Sequence, residues 1–280
     1  MKNIFLQNQK IGIMGVGNMG QAILNGLVKS GKVPLDNIFI SNRSEGKLNR
    51  IAEKFSVVPI KSNEELVEKV NIVVVGVKPQ DLHSVLEPLR SAFTADHILV
   101  SLAAGISIST INKMLPQVHQ VARVMPNTAA KLGKAIVGYC LSNDKDTLSV
   151  LIEDILSPLG VVKQVSEGEA FQAFTVAASS GIGFVFEIMT YWQDWLEEYG
   201  FSEDDAREIT VKTFLGASLL AEQEAQSSLV ELMAKVTSKK GVTEAGLASL
   251  RELEMERIIR ISFEKAILRD RQLAQSQPGS

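Results

Sequence analysis

Residues 11–20 read IGIMGVGNMG and decide the fold of the amino-terminal half. An apolar run typical of a buried strand leads directly into glycines, and apolar residues then recur at helical spacing from Ala22 until Gly31. In such a strand–turn–helix unit, Gly15 permits the tight turn, Gly17 lets the backbone approach a pyrophosphate, and Gly20 lets the helix pack close to its strand. The alternative is a glycine-rich turn without a ligand. Because the free N–H groups of a helix start bind phosphate, we predict a dinucleotide site formed by Gly15, Val16, Gly17, Asn18, Met19 and Gly20.

The remaining pattern predicts an α/β fold. Apolar runs predict further strands at residues 37–40, 72–77, 97–102 and 121–124, with 135–141 and 161–165 completing the sheet. The unbroken β-branched character of residues 72–77 is expected of a parallel sheet covered on both faces. Beyond residue 166 the periodicity is only helical, with helices predicted at 167–199, 203–225, 229–236 and 244–274. We therefore expect a Rossmann-type, doubly wound parallel sheet at residues 1–165 and an all-α domain at residues 166–280.

The first helix of the second domain has unusual features. Ser166 to Glu169 has the form of a capping box. The segment from Phe171 to Trp195 is apolar nearly all round, and a helix of that kind is buried. Because about 115 residues are thin cover for it, we predict that a second copy of the chain covers it, which gives a homodimer.

Polar residues follow the second strand. An NAD enzyme usually places an acidic residue here to hold the ribose 2′-hydroxyl. This chain has Asn42 and Arg43 instead, and a guanidinium suits the additional 2′-phosphate of NADP. In the alternative interpretation Arg43 is a solvated loop charge that Glu45 neutralises. Lys78 also follows a strand and could be a catalytic proton donor, but Pro79 indicates a turn and favours packing or a charge contact to the cofactor. Asn127 could form a hydrogen bond with the nicotinamide amide or the substrate, or it could be an ordinary loop cap.

Composition limits the class of protein. The 280 residues carry a net charge of −3, which gives no reason to expect nucleic acid or an anionic membrane as a partner. The single cysteine, Cys140, excludes an intrachain disulfide and fits a reducing cytosol. The three histidines share no ligand spacing, so no metal site is expected. With no signal-peptide pattern and apolar runs interrupted by glycine, we expect a cytoplasmic protein without a membrane partner.

A second candidate site lies in residues 236–247, VTSKKGVTEAGL. Ser, Thr and Gly precede a helix whose predicted N-cap is Thr243. The Ser238 hydroxyl and the free N–H groups of this helix start could bind a small carboxylate. The alternative is a capped helix start without a ligand, and spacing alone does not decide between them.

These motifs, together with VVGVKPQDL, VSLAAGISI, RVMPNTAAKLG and AASSGIGF, resemble those of the pyrroline-5-carboxylate reductases over residues 9–272. The resemblance implies NADPH-dependent reduction of the cyclic imine 1-pyrroline-5-carboxylate to L-proline, the last step of proline biosynthesis, with NAD(H) as a weaker alternative cofactor. It also implies an interlocked homodimer, often assembled further. Carried over by position, the substrate carboxylate would be held by Ser238, Gly241, Val242 and Thr243. Ser238 and Thr243 would be the catalytic residues, with the Thr243 hydroxyl against the ring nitrogen. The cofactor would contact the glycine loop (residues 15–20), Asn42, Arg43, Val77, Lys78, Pro79, Ala104 and Asn127.

Several residues depart from the family pattern. Lys239 and Lys240 replace the Pro-Gly of the substrate loop, and the loss of this preset turn puts the direction of the loop N–H groups in doubt. Ala129 replaces a proline, and Ile182 and Phe184 replace a serine and a proline. Two other functions therefore stay open. One is an NADP dehydrogenase of another small imino or hydroxy acid, against which the absence of lysine between residues 164 and 211 argues. The other is a catalytically weak nucleotide-binding paralogue with a regulatory role.

Overall fold

The computed structural model describes residues 4–143 and 146–275 and divides into two compact units. One contains residues 1–180 and 266–280, and the other contains residues 181–265. The domain boundary between residues 165 and 166 stays a prediction.

The first unit is built on an eight-stranded sheet of order β3-β2-β1-β4-β5-β6-β7-β8. All pairs from β3 to β6 are parallel, β6 and β7 are antiparallel, and β7 and β8 are parallel. This is the doubly wound order with two strands added at one edge, so the predicted fold class is confirmed. The strands are β1 Ile11–Met14, β2 Ile38–Ser41, β3 Val58–Pro59, β4 Ile72–Val75, β5 Ile98–Ser101, β6 Gln120–Met125, β7 Ala135–Leu141 and β8 Gly160–Gln164.

Helices cover both faces of this sheet, and an apolar cluster lies on each face. Every residue of β1 and β4 is buried, as expected of central strands in a parallel sheet. The predicted end of the first helix is confirmed, because Gly31 takes a left-handed conformation with φ +60°. The helices of this unit are α1 Ile4–Gln7, α2 Asn18–Ser30, α3 Glu45–Phe55, α4 Asn63–Lys69, α5 Leu82–Leu86, α6 Ile108–Met114, α7 Asp146–Leu156 and α8 Glu169–Phe174.

The predicted capping box at residues 166–169 is wrong. Helix α8 begins after Gly168, which has φ +101°, and no side chain caps it. Glu167 instead accepts a hydrogen bond of 2.8 Å from the Ile108 N–H and lies 3.7 Å from the buried guanidinium of Arg123. The Glu169 carboxylate, which the local pattern assigned to the helix start, lies 3.4 Å from the Arg271 guanidinium instead.

The second unit is entirely helical in the residues described. The predicted cap at Ser202 is confirmed, because its hydroxyl accepts a hydrogen bond from the Asp205 N–H. The predicted single helix at 244–274 is wrong: the chain turns at Glu254, which has φ +53°, and forms two helices. The elements are α9 Gly181–Glu198, α10 Glu203–Gln223, α11 Leu229–Lys235, α12 Val242–Glu252 and α13 Met255–Gln275, the last of which ends in the first unit.

The long apolar helix is continuous, because a π-helical turn at Thr175–Ser180 joins α8 to α9. By length and composition alone, Glu169–Glu198 is long and apolar enough to cross a membrane, so the expectation that glycines interrupt it does not hold. The helix is not buried within one chain, since Phe186, Trp192 and Trp195 are 61%, 46% and 55% exposed. A helix that an oligomer buries between subunits has the same features.

Candidate functional site

A cleft of about 600 Å³ opens at the carboxyl ends of β1, β2 and β4. In a doubly wound sheet this edge is where ligands bind. Four stretches of chain line it: the glycine loop, the residues after β2, the loop from β3 to α4, and the residues after β4. Its lining consists of Met14, Gly15, Gly17, Asn42, Arg43, Ser44, Lys47, Lys61, Asn63, Gly76, Val77, Lys78, Asp81, Ser84 and Val85.

The glycine loop has no space for side chains at two positions. Gly15 has φ +90°, and a Cβ there would lie 2.9 Å from Cγ1 of Val77. A Cβ on Gly20 would lie 2.3 Å from the Gly15 carbonyl oxygen. Gly17 differs, because its nearest neighbour would be 4.0 Å away. The fold therefore requires glycine at the first two positions but not at Gly17, whose predicted contact with a pyrophosphate stays a prediction.

Gly76 is a third required glycine, which the sequence motif does not include. It follows β4, its N–H donates a 2.8 Å hydrogen bond to the Met14 carbonyl, and a Cβ on it would lie 2.8 Å from the Gly15 carbonyl oxygen. The loops after β1 and β4 consequently touch through their backbones. In the sequence, the indication that Gly76 is required was its position between the β-branched strand β4 and Lys78.

The end of the cleft beside β2 is cationic. Arg43 and Lys47 line it together with Lys61, which the sequence pattern did not single out. Within residues 4–143 and 146–275, no carboxylate forms an ion pair with Arg43. Glu45, which we considered as its neutralising partner, lies 2.8 Å from the Lys61 ammonium instead. The hydrogen bond and charge of Lys61 lower the pKa of Glu45, and the same contact raises the pKa of Lys61.

Polar groups beside these cations are held by the chain itself. The Asn42 side-chain amide donates to the Ser44 carbonyl at 3.2 Å, and the Ser41 hydroxyl donates to Oδ1 of Asn63 at 2.7 Å. Asn63 is the first residue of α4 and lines the cleft. Because the Asn63 oxygen accepts this bond and no described residue accepts from its N–H₂ group, that group is available to a ligand.

Other predicted cofactor residues lie beside the cleft rather than in its lining. Val16 is buried in the core, and Asn18 and Met19 lie in the first turn of α2. Pro79 opens a short 3₁₀ helix after β4. Ala104 is half-buried in the turn after β5.

Asn127 has a structural role in the described residues. It is 5% exposed, and its Oδ1 accepts a hydrogen bond of 3.1 Å from the Ala129 N–H. Its Nδ2 donates to the Ala178 carbonyl at 3.0 Å. These bonds match the loop-cap interpretation, and a cofactor contact of Asn127 stays a prediction.

The second candidate site, the loop from Ser238 to Thr243, lies in the helical unit. The Gly241 N–H donates to the Ser238 carbonyl at 3.0 Å, which closes a β-turn across Lys239 and Lys240. Lys240 has φ +57°, and its N–H donates to the Glu244 carboxylate. The turn therefore forms without the Pro-Gly pair.

The predicted N-cap at Thr243 is wrong. Helix α12 begins at Val242 with Gly241 as its N-cap, so Thr243 is its second residue. A Cβ on Gly241 would lie 2.2 Å from the Ser238 hydroxyl, so a larger residue there would displace that hydroxyl from its place beside the helix start. The side chains of Ser238, Val242 and Thr243 are exposed. The helix start thus presents a hydroxyl on either side of N–H groups that have no acceptor within the helix.

Among the described residues, no group of three or more His, Cys, Asp or Glu side chains is arranged to hold a metal ion. The free Cys140 is buried. Burial, followed by the charge of Glu167, raises the pKa of its thiol to about 12, although Arg123 opposes this. Its thiol is therefore a poor nucleophile.

Two known protein families match separate parts of the chain. Residues 10–105 match a family described as NADP oxidoreductase, coenzyme F420-dependent, and residues 168–273 match the pyrroline-5-carboxylate reductase dimerisation family. The chain is 33% identical to a pyrroline-5-carboxylate reductase of Haemophilus influenzae, over 87% of this chain and 89% of that protein.

Two solved structures are similar over nearly the full length. A pyrroline-5-carboxylate reductase from Coxiella burnetii has a TM-score of 0.88 and 29% identity, covering 95% of this chain and 98% of that one. A Plasmodium falciparum pyrroline carboxylate reductase with NADP bound has a TM-score of 0.85 and 23% identity, covering 96% and 99%, and this likeness shows the fold alone. The identity and coverage of the Haemophilus relative show that the chain belongs to the pyrroline-5-carboxylate reductase family.

Proposed function

We propose that this protein reduces 1-pyrroline-5-carboxylate to L-proline, with NADPH as the preferred hydride donor and NADH as a weaker one. The observation that carries the proposal is the match to named reductases over nearly the whole chain, which includes both the glycine loop and the substrate loop. The dimerisation-family match supports assembly of several copies of this chain.

The nucleotide cleft fits a dinucleotide. The Gly17 backbone is open on the side where a Cβ would project, and α2 begins immediately after it. The N–H groups of this helix start and of the glycine loop would hold the pyrophosphate. Val77 and Lys78 would contact the cofactor on the β4 side of the cleft, with Pro79 and Ala104 adjacent.

The preference for NADPH is supported by the residues after β2. Asn42 and Arg43 stand where an NAD enzyme usually has an acidic residue. Because the described residues give Arg43 no carboxylate partner, its guanidinium is free to form paired hydrogen bonds with a 2′-phosphate.

The substrate loop fits a small imino acid. The N–H groups of Val242 and Thr243, with the Ser238 hydroxyl, would hold the carboxylate, and Gly241, whose own N–H closes the turn on the Ser238 carbonyl, would let the loop approach it. The Thr243 hydroxyl would donate a hydrogen bond to the ring nitrogen. A protonated imine carbon is already electrophilic, so no covalent nucleophile is needed. The cofactor supplies the hydride, and the protein contributes positioning, an effect that can reach about 7–11 kcal/mol.

We also propose the organisation that this function requires. The chain divides near residues 165 and 166 into an NADP-binding domain and a helical domain, and it forms a homodimer through the helices, with assembly into a higher oligomer of dimers open. The exposed aromatic side chains of α9 support this interface. We propose a cytoplasmic location because the chain has a single cysteine, which is buried and unpaired, as fits a reducing compartment.

The test is oxidation of NADPH by the purified full-length protein with 1-pyrroline-5-carboxylate, compared with NADH. Thr243→Val removes the hydroxyl at nearly constant volume, and Thr243→Ser keeps it. We expect the valine variant to lose about tenfold to a hundredfold in kcat and the serine variant to keep most of the activity. Equal losses in the two variants would contradict a role for the hydroxyl.

The cofactor site has its own test in Gly17→Ala. Because a Cβ there meets nothing closer than 4.0 Å within the protein, the thermal stability should not change. The affinity for NADPH, measured by calorimetry, should fall sharply. Binding of NADPH by the unmodified protein without any turnover would instead favour the nucleotide-binding paralogue.

A further inference from the structure

Lys61 occupies an uncommon position for a surface lysine. It lies in the short loop between β3 and α4 and lines the cationic end of the nucleotide cleft. Its ammonium is 2.8 Å from the carboxylate of Glu45, the first residue of α3, and both side chains remain mostly exposed. Glu45 itself is outside the lining of the cleft. The pair therefore joins a cleft-lining cation to a carboxylate beside the cleft.

This end of the cleft has more positive than negative charge. Arg43 and Lys47 line it beside Lys61, and Glu45 is the carboxylate that pairs with one of the three. Asp81 also lines the cleft, after β4. A phosphate monoester carries about −1.5 to −2 charges at pH 7 and three acceptor oxygens. It attracts a lysine more strongly than a single exposed carboxylate does, since exposed ion pairs contribute little.

We propose that Lys61 determines specificity for the 2′-phosphate of NADPH by exchanging partners. In the free protein and with NADH, Lys61 remains paired with Glu45. With NADPH, its ammonium leaves Glu45 and binds the 2′-phosphate together with Arg43. The inference rests on the proposed preference for NADPH and adds a residue on a different loop, together with a competing carboxylate that sets how readily the lysine moves.

The experiment measures binding without turnover. The full-length protein is titrated calorimetrically at pH 7.5 with 2′,5′-ADP, which carries the 2′-phosphate, and with 5′-ADP, which lacks it. Lys61→Gln should weaken binding of 2′,5′-ADP about threefold to tenfold, the range of one charge-assisted contact at a partly exposed site. Binding of 5′-ADP should change by less than twofold. The ratio of the KM for NADPH to the KM for NADH should rise by the same factor by which the preference for 2′,5′-ADP over 5′-ADP falls.

Glu45→Gln tests the exchange itself. Without its carboxylate partner Lys61 is released, so 2′,5′-ADP should bind about two to three times more tightly. This gain should disappear in the Lys61→Gln background, because the two substitutions act through one contact. A gain that persists in the double variant would show that Glu45 acts only as a nearby negative charge and would overturn the exchange.

The matched control is Lys69→Gln. Lys69 forms an exposed pair with Glu65 at 3.6 Å and does not line the cleft, so its substitution makes the same charge change elsewhere. If the Lys61 and Lys69 substitutions weakened 2′,5′-ADP binding equally, the loss would reflect the lower net charge of the protein and not a contact of Lys61. That outcome would refute the proposal. Failure of the proposed reaction looks different: 2′,5′-ADP would still bind selectively, but 1-pyrroline-5-carboxylate would not be reduced.

Discussion

Lys240→Gly should stabilise the protein, although it removes a side chain and adds backbone freedom. Lys240 has φ +57°, in the left-handed region that costs a non-glycine residue about 1–2 kcal/mol. Glycine avoids that cost but loses about 0.5–1 kcal/mol through the larger entropy of the unfolded chain. The hydrogen bond from the residue 240 N–H to Glu244 is a backbone contact and is kept. The net expectation is a gain of about 0.5–1 kcal/mol in the free energy of unfolding.

The assay is thermal unfolding by calorimetry at a fixed protein concentration, because assembly makes Tm depend on concentration. A gain of this size raises Tm by about 1–4 °C in a protein of this length. Lys239→Gly is the matched control: it removes the same charge from the adjacent residue, which is not among the described residues with positive φ. Because Lys239→Gly relieves no backbone strain, only the entropic cost of glycine applies, and we expect the free energy of unfolding to fall by about 0.5–1 kcal/mol.

Opposite signs for the two variants would assign the effect to the backbone of residue 240. Shifts of the same sign would refute this reasoning, because charge removal would then explain both. The same two proteins also test whether the ammonium groups assist substrate binding. If they do, KM for 1-pyrroline-5-carboxylate should rise in both variants; solvated lysines should leave KM unchanged in both.

Three other predictions follow from buried contacts. Gly76→Ala should lower both Tm and NADPH affinity, by about 1–3 kcal/mol in stability, because the new Cβ would lie 2.8 Å from the Gly15 carbonyl oxygen; unchanged melting would contradict that contact. Cys140 should not react with a disulfide reagent at pH 8 until the protein is unfolded, since burial raises its pKa to about 12. Burial raises the pKa of Asp270 against the opposing charge of Arg123, so its ionised form destabilises the fold. Asp270→Asn should therefore increase stability to urea at pH 7, and the difference from wild type should vanish below about pH 4, where the carboxyl is protonated in both states.

Local patterns predicted the parts of the fold that depend on neighbouring residues. The strand–turn–helix around Gly15 and Gly20 was predictable, because the turn and the close helix are formed by one continuous segment. The doubly wound, mostly parallel character of the sheet followed from the alternation of strands and helices, whereas the short strand β3 and the antiparallel pairing of β7 with β6 were not predicted. Ser202 was identified because its capping partner is three residues away. Such features need no knowledge of distant contacts.

The errors arose where distant residues compete for the same group. Ser166 and Glu169 matched a capping pattern, but the Glu169 carboxylate lies beside the guanidinium of Arg271, 102 positions away in the sequence. Gly76 is required because the loops after two neighbouring strands touch, which no single segment reveals. Lys61 likewise reaches the cleft from a loop two elements after Arg43.

The sequence left the geometry of the substrate loop open for a different reason. The loss of Pro-Gly removes residues that predispose the chain to a turn, which put the direction of the loop N–H groups in doubt. The turn at Ser238 nevertheless closes, since the Gly241 N–H and the Glu244 carboxylate provide two hydrogen bonds that hold Lys240 in a conformation it disfavours. Composition describes the cost of a conformation, whereas the contacts that offset this cost appear only in the structure.

The exposed aromatic surface of the helical unit favours a protein partner over a lipid environment. Three α9 side chains, Phe186, Trp192 and Trp195, are about half exposed. With about 200 Å² per side chain and 25 cal/mol per Å², they leave roughly 8 kcal/mol of hydrophobic burial unrealised in each chain. The same helix carries Glu187 and Asp194, and an acidic residue at the centre of a bilayer costs about 2.5–3.5 kcal/mol. Another copy of this chain can cover the rings and leave the carboxylates in water, and the dimerisation-family match supports assembly of several copies.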